Sequence, residues 1–167
     1  EFNSIYRYAV HAGDQFATKG PLPVLVAQTM DRANQLWRGS QFLSGAEFYE
    51  SIDLEQWVTN TQQDLSQKLR RLQFRMAEHY ISLGNLEQAL DYLHPLLLGD
   101  ELDPDVNFLF IKSLVDLGRI SEAGYRIQEM EKLYRTELSM ALPPAFLELQ
   151  TEIRNRLSVQ EIPSISK

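Results

Sequence analysis

The sequence predicts an all-α protein, a right-handed array of about seven helices built around one long central helix. Three observations lead there. Apolar residues recur at steps of three and four along nearly the whole chain, and no stretch alternates convincingly as a strand would. One of these stripes runs unbroken for about thirty residues. Finally, "HYISLGNLEQALDYL", residues 79–93, is echoed by "SLVDLGRISEAGYRI", residues 113–127, with Leu83 and Leu117, Gly84 and Gly118, and Ala89 and Ala123 all offset by the same interval.

A first helix is expected over about 4–18, with Ile5, Tyr8, Ala9, Ala12 and Phe16 on one face and a stop at "KGP". A second starts near Pro21–Pro23, where proline is tolerated because the first amides have no intrahelical acceptor. It carries Val24, Ala27, Met30, Ala33 (or Asn34) and Trp37 and ends at Gly39. The long helix follows the loop "RGSQFLSGAEFYESID". Leu54, Trp57, Val58, Thr61, Leu65, Leu69, Leu72, Met76, Tyr80 and Leu83 make its stripe, which should be buried along its whole length. Asp53 with Gln56 suits its start and Gly84 its end. Downstream, Asn85 and Gln88 form a capping box for a helix over 86–97, whose last turn Pro95 should end or kink. Helices over 104–117, 120–135 and 143–157 complete the set, and "SVQEIPSISK" reads as a flexible tail or linker over 158–167.

The echo pairs 70–83 with 86–97 and 104–117 with 120–135. Each pair has an apolar face that it cannot bury alone, so neighbouring pairs should stack. A period of about 34 residues, in a helix–turn–helix unit, is the tetratricopeptide signature. The slot that usually holds Trp is Gln73 and Asn107 here, and the usual Gly is Ala77 and Ile111.

The 167 residues fit one domain with a real core. Apolar content of 44% with 23% charged residues is globular, and a net charge of −7 argues against a nucleic-acid surface. There is no cysteine, which suits a reducing cytosol and excludes disulfides. The longest apolar runs are far too short for a membrane span, and no signal peptide is visible. A start at Glu1 instead of Met suggests a piece of something larger.

The wider pattern resembles the bacterial transcriptional activator domain of antibiotic-regulatory-protein (SARP-type) activators. "EF" looks like the family's entry to its first helix, and "ANQLWRG", 33–39, like the close of its second. "DLEQWV", 53–58, looks like the start of its long helix. "ISLGNLEQAL" and "LVDLGRISEA" resemble its repeat turns, and "YRTELSMALPPAFLELQTEI" its last loop and helix. The resemblance covers about residues 1–157. The chain departs from the family at "GPLPVL" and "SMALPP". What it implies is a regulatory domain in the cytoplasm that contacts protein, self-associates or senses a signal while a separate domain binds DNA. Partners would be a second copy, other regulatory domains of the parent chain or transcription machinery. The other reading is a tetratricopeptide adaptor or chaperone scaffold unrelated to transcription.

No enzyme chemistry or cofactor site is visible. His11, His79 and His94 are scattered, and no H-E-x-x-H is present. "GDELDPD", 99–105, lacks the glycine and final glutamate of a calcium loop, and Asp103 reads as a helix cap. "GSQFLSG" lacks a phosphate-loop lysine, and Ser40 and Ser44 have no triad partners. Trp37 and Trp57 read as core anchors. "KLRR", 68–71, reads as a solvated face.

Candidate protein-binding residues come from the repeat phase. Phe74, Glu78 and Ile81, with Arg71, would line the concave side of one pair, and Phe108, Lys112 and Val115, with Asp105, that of the next. They either line an open groove or pack on the N-terminal helices and close it. Phe74 and Glu78 stand where carboxylate-clamping arrays place Lys and Asn. A second candidate is the loop "QFLSGAEFY", whose Phe42, Phe48 and Tyr49 exceed what a solvent loop ordinarily carries.

Overall fold

Why the chain turns where it does is clearest from its helix ends. The computed structural model describes residues 2–7, 20–37 and 52–160. Among the described residues there are seven helices and no strand. They are α1 over 2–7, α2 Val24–Gln35, α3 Ile52–Ser82, α4 Leu86–Gly99, α5 Pro104–Asp116, α6 Ile120–Glu137 and α7 Pro144–Gln160. The expected remainder of the first helix lies outside the described residues. The final helix runs past its expected end to Gln160.

The repeat interval reappears in the element boundaries. The ends Ser82 and Asp116, and the starts Leu86 and Ile120, are offset exactly as the two sequence phrases are. Gly84 and Gly118 both adopt left-handed backbone, with φ of +73° and +77°. At Gly118 the α5 terminus is closed by two hydrogen bonds. The Gly118 N–H donates to the Val115 carbonyl (3.0 Å) and the Arg119 N–H to the Leu114 carbonyl (2.9 Å). This Schellman arrangement satisfies two otherwise orphaned carbonyls.

The chain divides into two compact units, Glu1–Leu83 and Gly84–Lys167. In the first, α2 packs against α3 and buries Val26, Ala27, Met30 and Ala33. Gln73 Nε2 donates to Asn34 Oδ1 across the pair (3.1 Å), and Lys68 Nζ donates to Asn3 Oδ1 of α1 (3.2 Å). The expected continuous burial of the α3 stripe does not hold. Leu72 and Met76 are buried and Leu65, Leu69 and Tyr80 half-buried, but Leu54, Leu83 and Trp57 are exposed, the last by 53%. Length explains part of this. The 12 residues of α2 span about 18 Å, against about 46 Å for the 31 of α3. Trp57 is therefore no core anchor, and Trp37 is half-buried with its ring edge-on to Phe2 at 5.5 Å.

Three expected helix-end devices also differ. Asp53 lies inside the first turn of α3, where a carboxylate complements the helix dipole, and not at the cap. The Asn85 side chain caps no amide; its Nδ2 donates to Gln88 Oε1 (2.6 Å). Pro95 does not end α4, which continues to Gly99. The bond that proline forfeits is to the Asp91 carbonyl, and both residues are exposed, so water can satisfy that oxygen. Buried Leu93, Leu96 and Leu97 hold the helix on either side. Asp103 caps α5 as expected, Oδ1 accepting from the Asp105 and Val106 amides at 2.9 and 3.0 Å.

In the second unit α5 packs between α4 and α6, and α7 folds back on both α5 and α6. Ile111, Leu114, Val115, Ala123, Ile127, Met130, Phe146 and Ile153 form one core. Gly124 lies buried under α7, where a Cβ would meet Ile153 Cγ2 at 3.5 Å, an ordinary van der Waals distance. Arg156 Nη1 donates to the Val115 carbonyl (3.1 Å) and ties α7 to α5.

Burial sets the expected cost of charging α3. Leu72→Asp should destabilise by about 4 kcal/mol or more, because Leu72 is only 2% exposed. Leu69→Asp, at a half-buried position, should cost about half as much. Chemical denaturation followed by circular dichroism measures both, and equal losses would mean that the two sites share one environment.

Candidate functional site

The predicted site residues fall into three groups. Phe42, Phe48 and Tyr49 lie outside the described residues. Phe74, Glu78 and Ile81 share one face of α3 at steps of four and three, and all three are half-buried. Glu78 Oε2 accepts from Arg75 Nη1 at 3.5 Å, and Arg71 beside this face is exposed.

On α5 the equivalent residues are divided. Val115 is 0% exposed and belongs to the core, so it offers nothing to a partner. Phe108 is partly buried, its ring edge-on to Phe146 of α7 at 5.9 Å and 84°. Its aromatic contact is thus with the last helix. Lys112 pairs with Asp116 one turn on (2.7 Å), and Asp105 is exposed. On these observations α7 covers a surface that repeat phase alone would leave open.

Sequence reasoning missed the importance of two polar side chains. Asn107 is completely buried. Its Nδ2 donates to the carbonyls of Glu101 (2.9 Å) and Asp103 (2.8 Å), and its Oδ1 accepts from Arg126 Nε (2.9 Å). One amide thereby joins the α4–α5 turn, α5 and α6. The only hint was its place in the slot usually held by Trp. His79 is 6% exposed, and its Nδ1 accepts the Leu22 N–H at 2.9 Å. Burial, and secondarily the Arg75 charge, lowers its pKa below the ordinary histidine value. The partners are far apart in the chain, so no local pattern signals them.

A cleft of about 540 Å³ opens where α6 passes into α7, lined by Glu131, Arg135, Met140, Leu142, Leu147 and Gln150 among others. Ser139 there has φ of +53°, and the Met140 N–H reaches back to the Tyr134 carbonyl (3.0 Å). Its polar wall is internally matched, since Glu131 accepts from both Arg135 (2.8 Å) and Gln150 (3.2 Å). This is the "SMALPP" stretch. In "GDELDPD", Asp100 and Asp103 accept backbone amides, as turn carboxylates commonly do. No group of three or more His, Cys, Asp or Glu side chains among the described residues could hold a metal ion, and no helix among them is long and apolar enough to cross a membrane.

Phe108 and Lys112 should respond differently to truncation. Phe108→Ser should lower stability by about 2–4 kcal/mol through loss of its packing on Phe146. Lys112→Ala should stay within about 0.5 kcal/mol, because its ion pair is exposed to solvent. Melting curves of the two variants check this, and a Phe108→Ser protein that melts like the parent would free that ring for contact with a partner.

No curated protein sequence and no solved structure matches the chain significantly. The family model of the bacterial transcriptional activator domain matches residues 4–154. The match takes in α2 to α6 whole and α7 as far as Arg154. With helices at these places and most of its length within the match, the chain belongs to the family of bacterial transcriptional activator domains.

Proposed function

We propose that this chain is the control arm of a SARP-type transcriptional activator, working in the cytoplasm through protein contact while a separate domain holds DNA. The observation that carries the reading is the family match over residues 4–154. The net charge of −7 supports it, because phosphate neutralisation is what a DNA-holding surface requires. On this reading residues 1–157 form one tetratricopeptide-like, right-handed array needing no cofactor, followed by a linker. Contact is with a second copy, with other regulatory domains of the parent chain or with transcription machinery.

Two contact surfaces are candidates: the α3 face of Phe74, Glu78 and Ile81, and, as a separate patch, the aromatic loop of Phe42, Phe48 and Tyr49. Half-buried Phe74 and Ile81 beside the Arg75–Glu78 pair have the composition of an interface core with its polar rim. On α5, Lys112 is the remaining accessible candidate, Phe108 and Val115 being engaged in the core.

Two measurements test the proposal. Sedimentation of the wild type, Phe48→Ser and Phe74→Ser, beside their melting curves, should show weakened self-association with unchanged melting in at least one variant. A protein that stays monomeric at high concentration, and that binds neither the other domains of its parent nor RNA polymerase, would remove the basis for the reading. In a mobility-shift assay at physiological salt the chain should give no sequence-selective shift of duplex DNA. Nanomolar selective binding would contradict the division of labour.

A further inference from the structure

The segment entering α2 is held to α3 by two side chains one helical turn apart. Arg75 Nη2 donates to the Gly20 carbonyl (3.0 Å), and His79 Nδ1 accepts from the Leu22 N–H (2.9 Å). An imidazole that accepts at Nδ1 must be neutral, with its proton on Nε2. Its ring is buried and lies against Tyr80, the centroids 5.2 Å apart. We propose that His79 is an acid-released latch: protonation at Nδ1 breaks the bond to the Leu22 amide and frees the segment 20–22 from α3.

The chemistry follows from donors and charges. The protonated ring turns its one acceptor into a second donor facing the Leu22 N–H, and two N–H groups repel. It also places a second cation beside Arg75, the other side chain gripping the same segment. Glu78, paired with Arg75 at 3.5 Å, is the acidic group of α3 that opposes this effect. From α2, Asp31 acts on Tyr80, raising its pKa after burial does. The segment Gly20–Pro23 carries no titratable side chain. Nothing on it can replace the lost acceptor.

The direction is set by the folded-state shift. Burial and Arg75 hold the imidazole below its ordinary pKa, so the unfolded or released form binds the proton first. The latch is therefore fully closed above the ordinary histidine range. It weakens as pH falls from there through the lowered folded value. What opens is the entry to α2, where the Pro23 carbonyl accepts the Val26 and Ala27 amides and Val24 and Leu25 stand exposed. Acid thus alters an apolar helix end, whether or not the self-association reading holds.

Hydrogen–deuterium exchange at pH 7.5 and 5.5, corrected for intrinsic exchange rates, tests the latch. In the wild type, amides over 20–27 should exchange about five- to tenfold faster at the lower pH, the change expected for one net hydrogen bond. Amides of α5 to α7 should not change. His79→Asn keeps an acceptor at the δ position without a titrating ring, so its exchange should be the same at both pH values. His79→Ala should be open at both. Should either variant fail to fold, the wild type alone still decides, because the midpoint of the exchange change must coincide with the NMR titration of the His79 ring protons. No acid response over 20–27, an equal response across the whole chain, or midpoints that disagree would each overturn the proposal.

Discussion

The left-handed turn at Gly118 is the constraint on which the second unit depends. A residue with a Cβ would lose about 1–2 kcal/mol at this φ, and the two hydrogen bonds that end α5 require it. Only Leu117 and Gly118 separate the end of α5 from Arg119, where the chain has already reversed. That shortness forces α6 back along α5, which brings Ala123 and Ile127 against Ile111 and Leu114. Asn107 acts at the other end of α5. By joining the α4–α5 turn to Arg126 it fixes the distance at which α6 can lie. A buried amide with its donors and acceptor all satisfied costs little to keep but much to break.

The same repeat is visible in which positions are buried. Leu72 and Val106, Ala77 and Ile111, Ala89 and Ala123, and Leu93 and Ile127 stand at the repeat interval, and every one of them is buried. Polarity repeats as well. Gln73 and Asn107 both make side-chain hydrogen bonds to a neighbouring helix, and His79 and Ser113 are both buried and bonded to backbone. These regularities were legible in sequence because they rest on local spacing: a glycine to turn, a small residue at the crossing, Asp103 just ahead of its amide partners. Where legibility failed, the deciding partner was distant. Pro95 survives inside α4 through burial of the leucines around it, and Trp57 is exposed despite lying on the apolar stripe of α3.

Site residues were legible as positions and not as environments. Repeat phase places Phe74 and Phe108 in equivalent slots, but it cannot say which of them meets another ring. Phe108 meets Phe146, two helices further along the chain and beyond the Ser139 corner. The corner itself rests on a positive φ at a serine, which sequence marks only as a departure from the expected loop. No motif surrounds His79 in the sequence, and its burial is that of a packing residue. Its hydrogen bond to Leu22 adds a polar role that no spacing rule encodes.

Within the second unit, the last helix decides what the α5 slots can offer. A stacked helix pair must cover its last apolar face, and terminal elements of such arrays carry a polar outer side. Helix α7 has this character: Phe146, Leu149 and Ile153 are buried, whereas Glu148, Thr151, Arg154 and Asn155 are exposed. The Arg156 bond to the Val115 carbonyl ties it to α5. That closure removes the accessibility of the α5 slots, since Val115 is enclosed and Phe108 is partly covered. On α3 the equivalent slots stay half-exposed, and Ile81 is not enclosed as Val115 is. Within the second unit, the last helix thus covers the slots that repeat phase assigns to α5.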